Sequence, residues 1–302
     1  MKNYLLFSGS ANRVLAIETA KLLKKSLGKM EIVTFADSEK RVRIEESVIN
    51  KTVLVIASLS NPVDSHLVEL CLIGDALKAN DCSKMIAVVP YFGYARQDKS
   101  HREGEGVSAR VMARLIEAVE FDKIVVVDLH SDIVGGFFQK PISHLHGASI
   151  FVDKLKSHKE EIVVVAPDAG AVKRAQKFAE MLGAPLTLIE KKRSLDKLHT
   201  IESLRLIGDA KGKTAVLIDD VITSGSRLVK ATYALKDQGA KKVIACVTHA
   251  DFVDGTREIL QNSPLDHVYV SDSIYLPEGY RFPKLSILSL GTLLSEKIKK
   301  MV

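Results

Sequence analysis

Short apolar runs alternate with longer segments of helical periodicity along the whole chain. The runs predict buried strands, for example over Lys84–Val89, Lys123–Val127, Ile162–Ala166 and Thr214–Ile218. The segments between the runs predict helices over Ala11–Leu27, Pro62–Ala79, Val107–Val119, Val172–Leu182 and Arg227–Gln238. This alternation predicts an α/β fold, in which mainly parallel sheets are flanked by helices.

The pattern divides into two similar halves, which we interpret as domains of residues 1–146 and 147–302. His144-Leu-His-Gly147 is interpreted as the connector between them. The pattern alone does not assign the terminal helix predicted over Gly291–Met301 to either domain, and packing on the first domain is one option. In sheets of this kind ligands bind beyond the carboxyl ends of the strands, so polar residues at those ends are the first candidates for a site.

One strand end combines two acids with a small loop. Asp219 and Asp220 come directly after the predicted strand, and the loop that follows contains Thr223, Ser224, Gly225, Ser226 and Arg227. Backbone N–H groups at the start of the next helix can bind a phosphate, and paired carboxylates can accept hydrogen bonds from a sugar diol. The combination favours a ribose 5-phosphate site, although Gly, Ser and Asp also form ordinary turns and helix caps.

Two other strands of the predicted sheets also end on polar side chains. Asp128-Leu-His130 follows one strand and Asp168 follows another. A carboxylate at the opening of a parallel sheet is the kind of ligand that Mg²⁺ takes when it binds together with substrate phosphates. In the alternative interpretation, His130 is a hydrogen-bonded structural residue and Asp168 only caps a helix.

Three further segments carry polar groups. They contain Phe35, Asp37 and Glu39; Arg96, Gln97 and Asp98; and Lys191 and Arg193. The first, taken alone, indicates a turn capped by its aspartate. In the second, arginine can stack on a purine or bind phosphate, but an exposed loop is equally compatible. The third segment, with Lys191 and Arg193, has the composition of a solvent-exposed face. In the alternative interpretation it is an active-site lid, which would place its positive charges on phosphate oxygens.

Composition narrows the classes of protein. The net charge of +6 fits anionic small ligands, while the absence of Trp and of a dense basic tract argues against a nucleic-acid partner. Cys71, Cys82 and Cys246 are scattered, which indicates reduced thiols in the cytosol. No run approaches the roughly 20 apolar residues of a membrane span, and the N-terminal run is too short for a secretory signal. We therefore expect a cytoplasmic protein without membrane contact.

Taken together, the order and spacing of these segments resemble the ribose-phosphate pyrophosphokinase family. The motifs are Phe35-Ala-Asp-Ser-Glu39, Tyr91-Phe-Gly-Tyr-Ala-Arg-Gln-Asp98, Asp128-Leu-His130, Pro167-Asp-Ala-Gly170, Lys191-Lys-Arg193 and the Asp219–Arg227 loop. The resemblance covers essentially the whole chain. It implies two phosphoribosyltransferase-like domains, the first on the ATP side with subunit contacts and the second on the ribose 5-phosphate side.

The resemblance also implies the reaction and its ligands. The β,γ-diphosphoryl group of Mg-ATP would pass to the anomeric hydroxyl of ribose 5-phosphate, giving phosphoribosyl diphosphate and AMP for nucleotide biosynthesis. Mg²⁺ would be the cofactor, and the chain would self-associate as a hexamer or dimer. Catalysis would come from alignment and charge neutralisation, without a covalent enzyme intermediate.

Roles for individual residues follow from the same resemblance. ATP would be contacted by Arg96, Gln97 and Asp98. The adenine and ribose of an ATP bound mainly by the neighbouring subunit would lie against Phe35, Asp37 and Glu39. The magnesium–phosphate assembly would be held by His130 and Asp168, and the transferring group stabilised by Lys191 and Arg193. The ribose hydroxyls would be bound by Asp219 and Asp220, and the 5-phosphate by Thr223, Ser224, Gly225, Ser226 and Arg227.

The chain departs from the family pattern at three positions. Arg227 replaces the usual loop hydroxyl, Ser38 stands where glycine is common, and Gly104 stands where arginine is often seen. The first departure puts one phosphate contact in question, and the third bears on regulation by phosphate and ADP.

Two other functions share some of these features. A non-catalytic homologue that regulates an oligomer of active synthetases would be expected to lose the magnesium or lid residues, all of which are present here. A phosphoribosyltransferase would match only the Asp219–Arg227 loop, in a single domain, and would need a nucleobase.

Replacing Lys191 tests the role implied for the lid. We expect Lys191→Ala to reduce turnover far more than ATP affinity, because the contact of the ammonium group is specific to the transition state. Steady-state kinetics measures both quantities. Near-normal turnover with only a raised Michaelis constant would contradict the role.

Overall fold

The computed structural model describes residues 4–156, 160–192 and 203–302. Its strands, numbered in chain order, are β1 (Tyr4–Ser8), β2 (Met30–Thr34), β3 (Lys40–Ile44), β4 (Thr52–Ile56), β5 (Lys84–Val89), β6 (Lys123–Val127), β7 (Ile142–Leu145), β8 (Ile162–Ala166), β9 (Leu186–Lys192), β10 (Ser203–Ile207), β11 (Thr214–Ile222), β12 (Lys242–Ala250), β13 (His267–Ser271) and β14 (Leu285–Leu288). Its helices are α1 (Arg13–Leu22), α2 (Val63–Ala79), α3 (Ser108–Ala118), α4 (Asp132–Gly135), α5 (Ala148–Leu155), α6 (Val172–Leu182), α7 (Ser226–Asp237), α8 (Thr256–Gln261) and α9 (Gly291–Met301).

These elements form two compact units. The first unit holds the described residues up to His146, together with Ser273–Tyr275 and Ser289–Val302. The second holds the described residues within Gly147–Asp272, together with Leu276–Leu288. Each unit is built on a mainly parallel sheet flanked by helices, so the predicted α/β fold is confirmed. Within the described residues, no helix combines the length and the apolar character needed to cross a membrane.

The first unit contains a parallel sheet of strand order β1-β4-β5-β6-β7 and a separate antiparallel hairpin, β2-β3. Its core includes fully buried side chains such as Phe7, Ile73 and Phe121. Helix α9 belongs to this unit and packs against α1, where Gly291 lies close to Leu22. The absence of a side chain at Gly291 lets the two helices approach closely.

The sheet of the second unit has the order β10-β9-β8-β11-β12-β13-β14, with only the β9–β10 pair antiparallel. Alternate residues of β11 face two separate apolar clusters. Ala215 and Leu217 pack with residues of α7, whereas Val216 and Ile218 pack with residues of α5 and α6. Because both faces are covered by helices, the strand is apolar throughout its first half instead of alternating.

The structure corrects several predicted boundaries. Strand β11 does not end at Ile218 but continues through the two acids to Ile222. The stretch interpreted as a connector, His144–Gly147, begins inside β7, because His144 and Leu145 pair with β6. Strands β3, β7 and β10 were not predicted. Helix α1 ends at Leu22, before the predicted Leu27, because Lys24 adopts a left-handed conformation with φ of 55°.

A buried ion pair fastens the β2–β3 hairpin to the first unit. Glu69 on α2, only 2% exposed, accepts hydrogen bonds from the Lys40 ammonium and from the backbone N–H and hydroxyl of Ser10. Burial by itself raises the pKa of Glu69, but the hydrogen bonds from Lys40 and Ser10 outweigh it and lower that pKa below its ordinary value. The ionised carboxylate therefore stabilises the fold, and this stabilisation is lost as the pH falls through the lowered pKa.

Removing the Lys40 ammonium leaves the buried Glu69 carboxylate without its cation. We expect Lys40→Met to lower the free energy of unfolding by about 3 kcal/mol at pH 7. The deficit should shrink toward pH 4, because Glu69 can then become protonated in the variant. Urea unfolding at both pH values measures it. Lys78→Met is the control, since it breaks an exposed pair with Glu120 and should have a much smaller effect; equal effects of the two variants would contradict the assignment.

Candidate active site

Two adjacent carboxylates lie inside the central strand of the second unit's sheet. Strand β11 pairs with β8 only as far as Leu217, but with β12 as far as Ile222. Asp219 and Asp220 lie in this overhang beyond β8, and they are 4% and 3% exposed. They therefore occupy the carboxyl end of a parallel sheet, which is where such sheets bind ligands.

Two arginines compensate the charge of this pair. Arg174, on α6, donates to Asp220 Oδ1 at 3.2 Å and lies 3.7 Å from Asp219 Oδ1. Arg227, on α7, donates from Nη2 to Asp219 Oδ2 at 2.5 Å. An uncompensated buried charge destabilises a protein by several kcal/mol, so the two guanidinium groups are needed to keep both acids inside the strand.

A third carboxylate joins the cluster through the same arginine. Asp168 caps the turn that precedes α6, and its Oδ1 accepts a hydrogen bond from the Ala171 N–H at 3.1 Å. Its Oδ2 accepts from Arg227 Nη1 at 2.8 Å. Arg227 thus bridges Asp168 and Asp219, which brings together residues that the sequence analysis assigned to separate motifs.

Burial raises the pKa of Asp219 to about 7. The positive charges of Arg227 and Arg174 lower this pKa, whereas the negative charge of Asp220 and a side-chain hydrogen bond with it raise it. A carboxyl group in this range changes its protonation near neutral pH. It can therefore accept a hydrogen bond from a hydroxyl when ionised and donate one when protonated. This property suits a site that forms hydrogen bonds with hydroxyl groups.

The loop before α7 has a fixed backbone. Gly225 forms the N-terminal cap of α7 with φ of 75°, and a Cβ atom at this position would lie 2.8 Å from Leu260 Cδ2. The Thr223 carbonyl accepts from the Thr256 hydroxyl at 2.6 Å, and the hydroxyls of Ser224 and Ser226 lie 3.1 Å apart. Hydroxyls and backbone N–H groups at a helix start form a site that can bind an anion.

In the first unit, the Phe35–Glu39 segment is the turn of the β2–β3 hairpin. Phe35 is 44% exposed, and the Arg41 guanidinium lies 5.8 Å from its ring centre. Asp37 Oδ1 accepts from the Glu39 N–H at 3.1 Å, as expected for a capping aspartate. Ser38 has a φ of 75°, a conformation that glycine adopts without strain. An exposed ring and two acids at a hairpin tip are available to a ligand.

The loop that contains Arg96, Gln97 and Asp98 is hydrogen-bonded to the residue that follows the Asp128–His130 segment. Arg96 is exposed, and Gln97 Oε1 accepts a hydrogen bond from the Ser108 hydroxyl. Asp98 is buried, and its Oδ2 accepts from the Ser131 hydroxyl at 2.5 Å. Because Ser131 follows His130 directly, this hydrogen bond fixes the two predicted segments relative to each other. This role of Ser131 could not be predicted from the sequence, because serine is common in loops that have no such contact.

Asp128, His144 and His146 form the cluster of possible metal ligands found in the described residues, with one atom from each within 4.8 Å of the others. Two imidazoles and a carboxylate suit Zn²⁺ better than Mg²⁺. However, His144 Nε2 accepts the Leu129 N–H at 3.0 Å, so the lone pair of that nitrogen is engaged. We therefore interpret His144 as a support for the backbone between Asp128 and His130, where Asp128 has a φ of 37°.

The remaining predicted residues divide between the units or lie outside the description. His130 belongs to the first unit and Asp168 to the second. Lys191 lies in β9, where its backbone is paired with that of Leu204, and its side chain is outside the described atoms. Arg193 is outside the described residues.

Arg174 was missed by the sequence analysis. It lies in the first turn of α6, where a cation is unfavourable for the helix dipole. A basic residue at such a position, six residues after Asp168, is a local inconsistency that could have identified it as a partner of the acidic pair.

Comparisons with known proteins match both halves of the chain. The sequence-family model for the N-terminal domain of ribose phosphate pyrophosphokinase matches residues 4–119. The family model for the phosphoribosyl transferase domain matches residues 137–275. The ribose-phosphate pyrophosphokinases of Thermosipho africanus and Bacillus caldolyticus are each 40% identical over 98% of the chain and over 93% and 94% of their own lengths. The crystal structure of phosphoribosylpyrophosphate synthetase from Mycobacterium smegmatis matches with a TM-score of 0.93 and 37% identity, covering 99% of each chain.

The tight packing behind Gly225 generates a prediction. We expect Gly225→Ala to lower the free energy of unfolding by roughly 2 kcal/mol or more, because it adds a contact with Leu260 to the strain of a positive φ. Gly255→Ala is the matched control: Gly255 also caps a helix with positive φ, but no heavy atom lies within 4 Å of its Cβ position. Its loss should be about 1 kcal/mol. Equal losses in chemical denaturation would contradict the packing argument.

Proposed function

The chain belongs to the ribose-phosphate pyrophosphokinase family, and we propose on this basis that it makes phosphoribosyl diphosphate and AMP from ATP and ribose 5-phosphate. The anomeric hydroxyl of the sugar attacks the β-phosphorus of ATP, its proton is released, and the bond from that phosphorus to the oxygen of the leaving AMP breaks. The β,γ-diphosphoryl group is thereby transferred in one step. Alignment of relatives over nearly the whole chain supports this reaction over a phosphoribosyltransferase, which would need only the second half.

The single observation that carries the proposal is the acidic pair of β11 next to the loop that begins α7. Asp219 and Asp220 are held in place by arginines, so their carboxylates are oriented before a ligand arrives. We assign the ribose hydroxyls to this pair. We assign the 5-phosphate to the loop from Thr223 to Arg227, where N–H groups at the start of α7 and two serine hydroxyls are available.

We assign the nucleotide to the first unit. The exposed ring of Phe35 offers a surface on which adenine can stack, and Asp37 and Glu39 offer acceptors for polar groups of the nucleoside. The exposed Arg96 can bind phosphate or stack on the base. The neighbouring Gln97 and Asp98 complete this group in the proposal.

Asp168 fits a role in binding Mg²⁺. Its carboxylate is partly exposed at the end of the sheet, and carboxylate oxygen is the donor that Mg²⁺ prefers. His130 is half-buried in the first unit, and its imidazole is a less common ligand for this ion. When bound with ATP, Mg²⁺ would neutralise negative charge on the diphosphate oxygens. The proposal gives Lys191 and Arg193 the complementary role of binding the transferring group.

Self-association as a hexamer or dimer, and a cytoplasmic location, complete the proposal. Helices α2 and α3 of the first unit pack against each other and expose the apolar side chains of Val68, Val111 and Leu115. Exposed apolar side chains of this kind support a contact between protein subunits, because burying them is favourable.

The decisive experiment supplies ATP labelled at the γ-phosphate, Mg²⁺ and ribose 5-phosphate, without a nucleobase. We expect the label in phosphoribosyl diphosphate, with one AMP per labelled product and none when ribose 5-phosphate is omitted. Asp220→Asn should reduce the rate by about 100-fold or more, because one partner of the sugar is lost. Asp153→Asn, an exposed acid on α5, should leave the rate unchanged.

Formation of ADP in place of AMP, or AMP formation independent of ribose 5-phosphate, would contradict the reaction. A folded chain without AMP formation would favour the non-catalytic homologue instead.

A further inference from the structure

We propose that Arg227 competes with divalent cations for Asp168 and Asp219, so that its guanidinium group must leave these carboxylates before a metal can bind to them. This inference rests on the proposed function, which assigns a divalent cation to Asp168. It concerns a residue of the loop to which the proposed function assigns the 5-phosphate.

The hydrogen bonds of the two carboxylates carry the argument. One oxygen of each carboxylate is engaged by the backbone: Asp168 Oδ1 accepts the Ala171 N–H at 3.1 Å, and Asp219 Oδ1 accepts the Asp220 N–H at 3.0 Å. The other oxygen of each, Oδ2, accepts from Arg227, at 2.8 Å and 2.5 Å respectively. The oxygens best placed to bind a metal are therefore the ones that the guanidinium holds.

The geometry of arginine explains why one residue can hold both acids. Its two terminal nitrogens form a rigid fork, and here each nitrogen donates to a carboxylate from a different element. One of the acids follows β8 and the other lies within β11. A positive group that joins two carboxylates in this way takes the electrostatic place of a cation that would bridge them.

Exposure shows which of the two arginines can leave. The Arg227 side chain is 43% exposed, whereas the Arg174 side chain is 23% exposed and hydrogen-bonds Asp220. A divalent cation that replaced Arg227 would take over the compensation of Asp168 and Asp219, so the exchange would leave neither carboxylate without a positive partner. Arg174 would continue to compensate the acidic pair. Since Arg227 lies in the first turn of α7, its side chain could then turn toward an anion at the loop.

The test measures binding of Mn²⁺ to the full-length chain without ATP or ribose 5-phosphate, by electron paramagnetic resonance of the free ion. We expect Arg227→Thr and Arg227→Gln to bind Mn²⁺ at least about 5-fold more tightly than the natural chain, because the competing cation is gone. The glutamine variant keeps most of the length of the side chain, and circular dichroism checks the fold of both variants.

Two controls locate the effect. Lys230→Thr removes one exposed positive charge from the same helix, and we expect unchanged Mn²⁺ affinity. In an Asp168→Asn background, replacing Arg227 should produce less than half of the gain in affinity, because one of the two competing oxygens is lost. This double-mutant cycle separates direct competition from a general change in charge.

Unchanged or weaker Mn²⁺ binding in folded Arg227 variants would overturn the proposal, and so would an equal gain in Lys230→Thr. Because the measurement does not use turnover, its outcome is independent of the reaction assigned above. Tighter binding without AMP formation would reject only the reaction, whereas AMP formation with unchanged Mn²⁺ affinity would reject only the competition.

Discussion

The burial of two neighbouring negative charges in one strand is the constraint on which the second unit depends. Asp219 and Asp220 are almost completely buried from solvent. Two adjacent buried carboxylates destabilise each other unless positive groups lie close to them. Arg174 and Arg227 supply those cations from the two helices that follow β8 and β11. The same contacts that make the acids tolerable therefore also set the position of α6, of α7 and of the loop between β11 and α7.

In the first unit, segments are also positioned by buried polar contacts, but these contacts involve fewer charged groups than the cluster around Asp219 and Asp220. The Asp98–Ser131 hydrogen bond fixes one loop against the segment that carries His130, and the Lys40–Glu69 pair fixes the hairpin that carries Phe35. In each case a buried carboxylate holds a segment whose neighbouring residues are exposed. The unit thus combines a rigid apolar sheet with loops that are anchored by few but buried polar groups.

The sequence was sufficient to predict the fold class, because strands covered on both faces consist of unbroken apolar runs. It failed for β3, where Lys40-Arg-Val-Arg-Ile44 alternates charge with apolar residues at the edge of a hairpin. The polar residues at strand ends could also be predicted from the sequence, because Asp168, Asp219 and Asp220 follow or interrupt such apolar runs. Contacts between distant segments were not: nothing in the local pattern of Arg227 shows that its fork lies between two carboxylates.

The position of α9 has a consequence for the synthesis of the protein. This helix is added to the chain after the second unit, yet Leu294 and Ile298 are buried where it packs on the first unit. During translation one surface of α1 therefore stays exposed until the second unit and α9 have been synthesised and have left the ribosome. Completion of the first unit is thereby coupled to emergence of the second unit, so an interrupted polypeptide ending at His146 would lack the helix that covers α1.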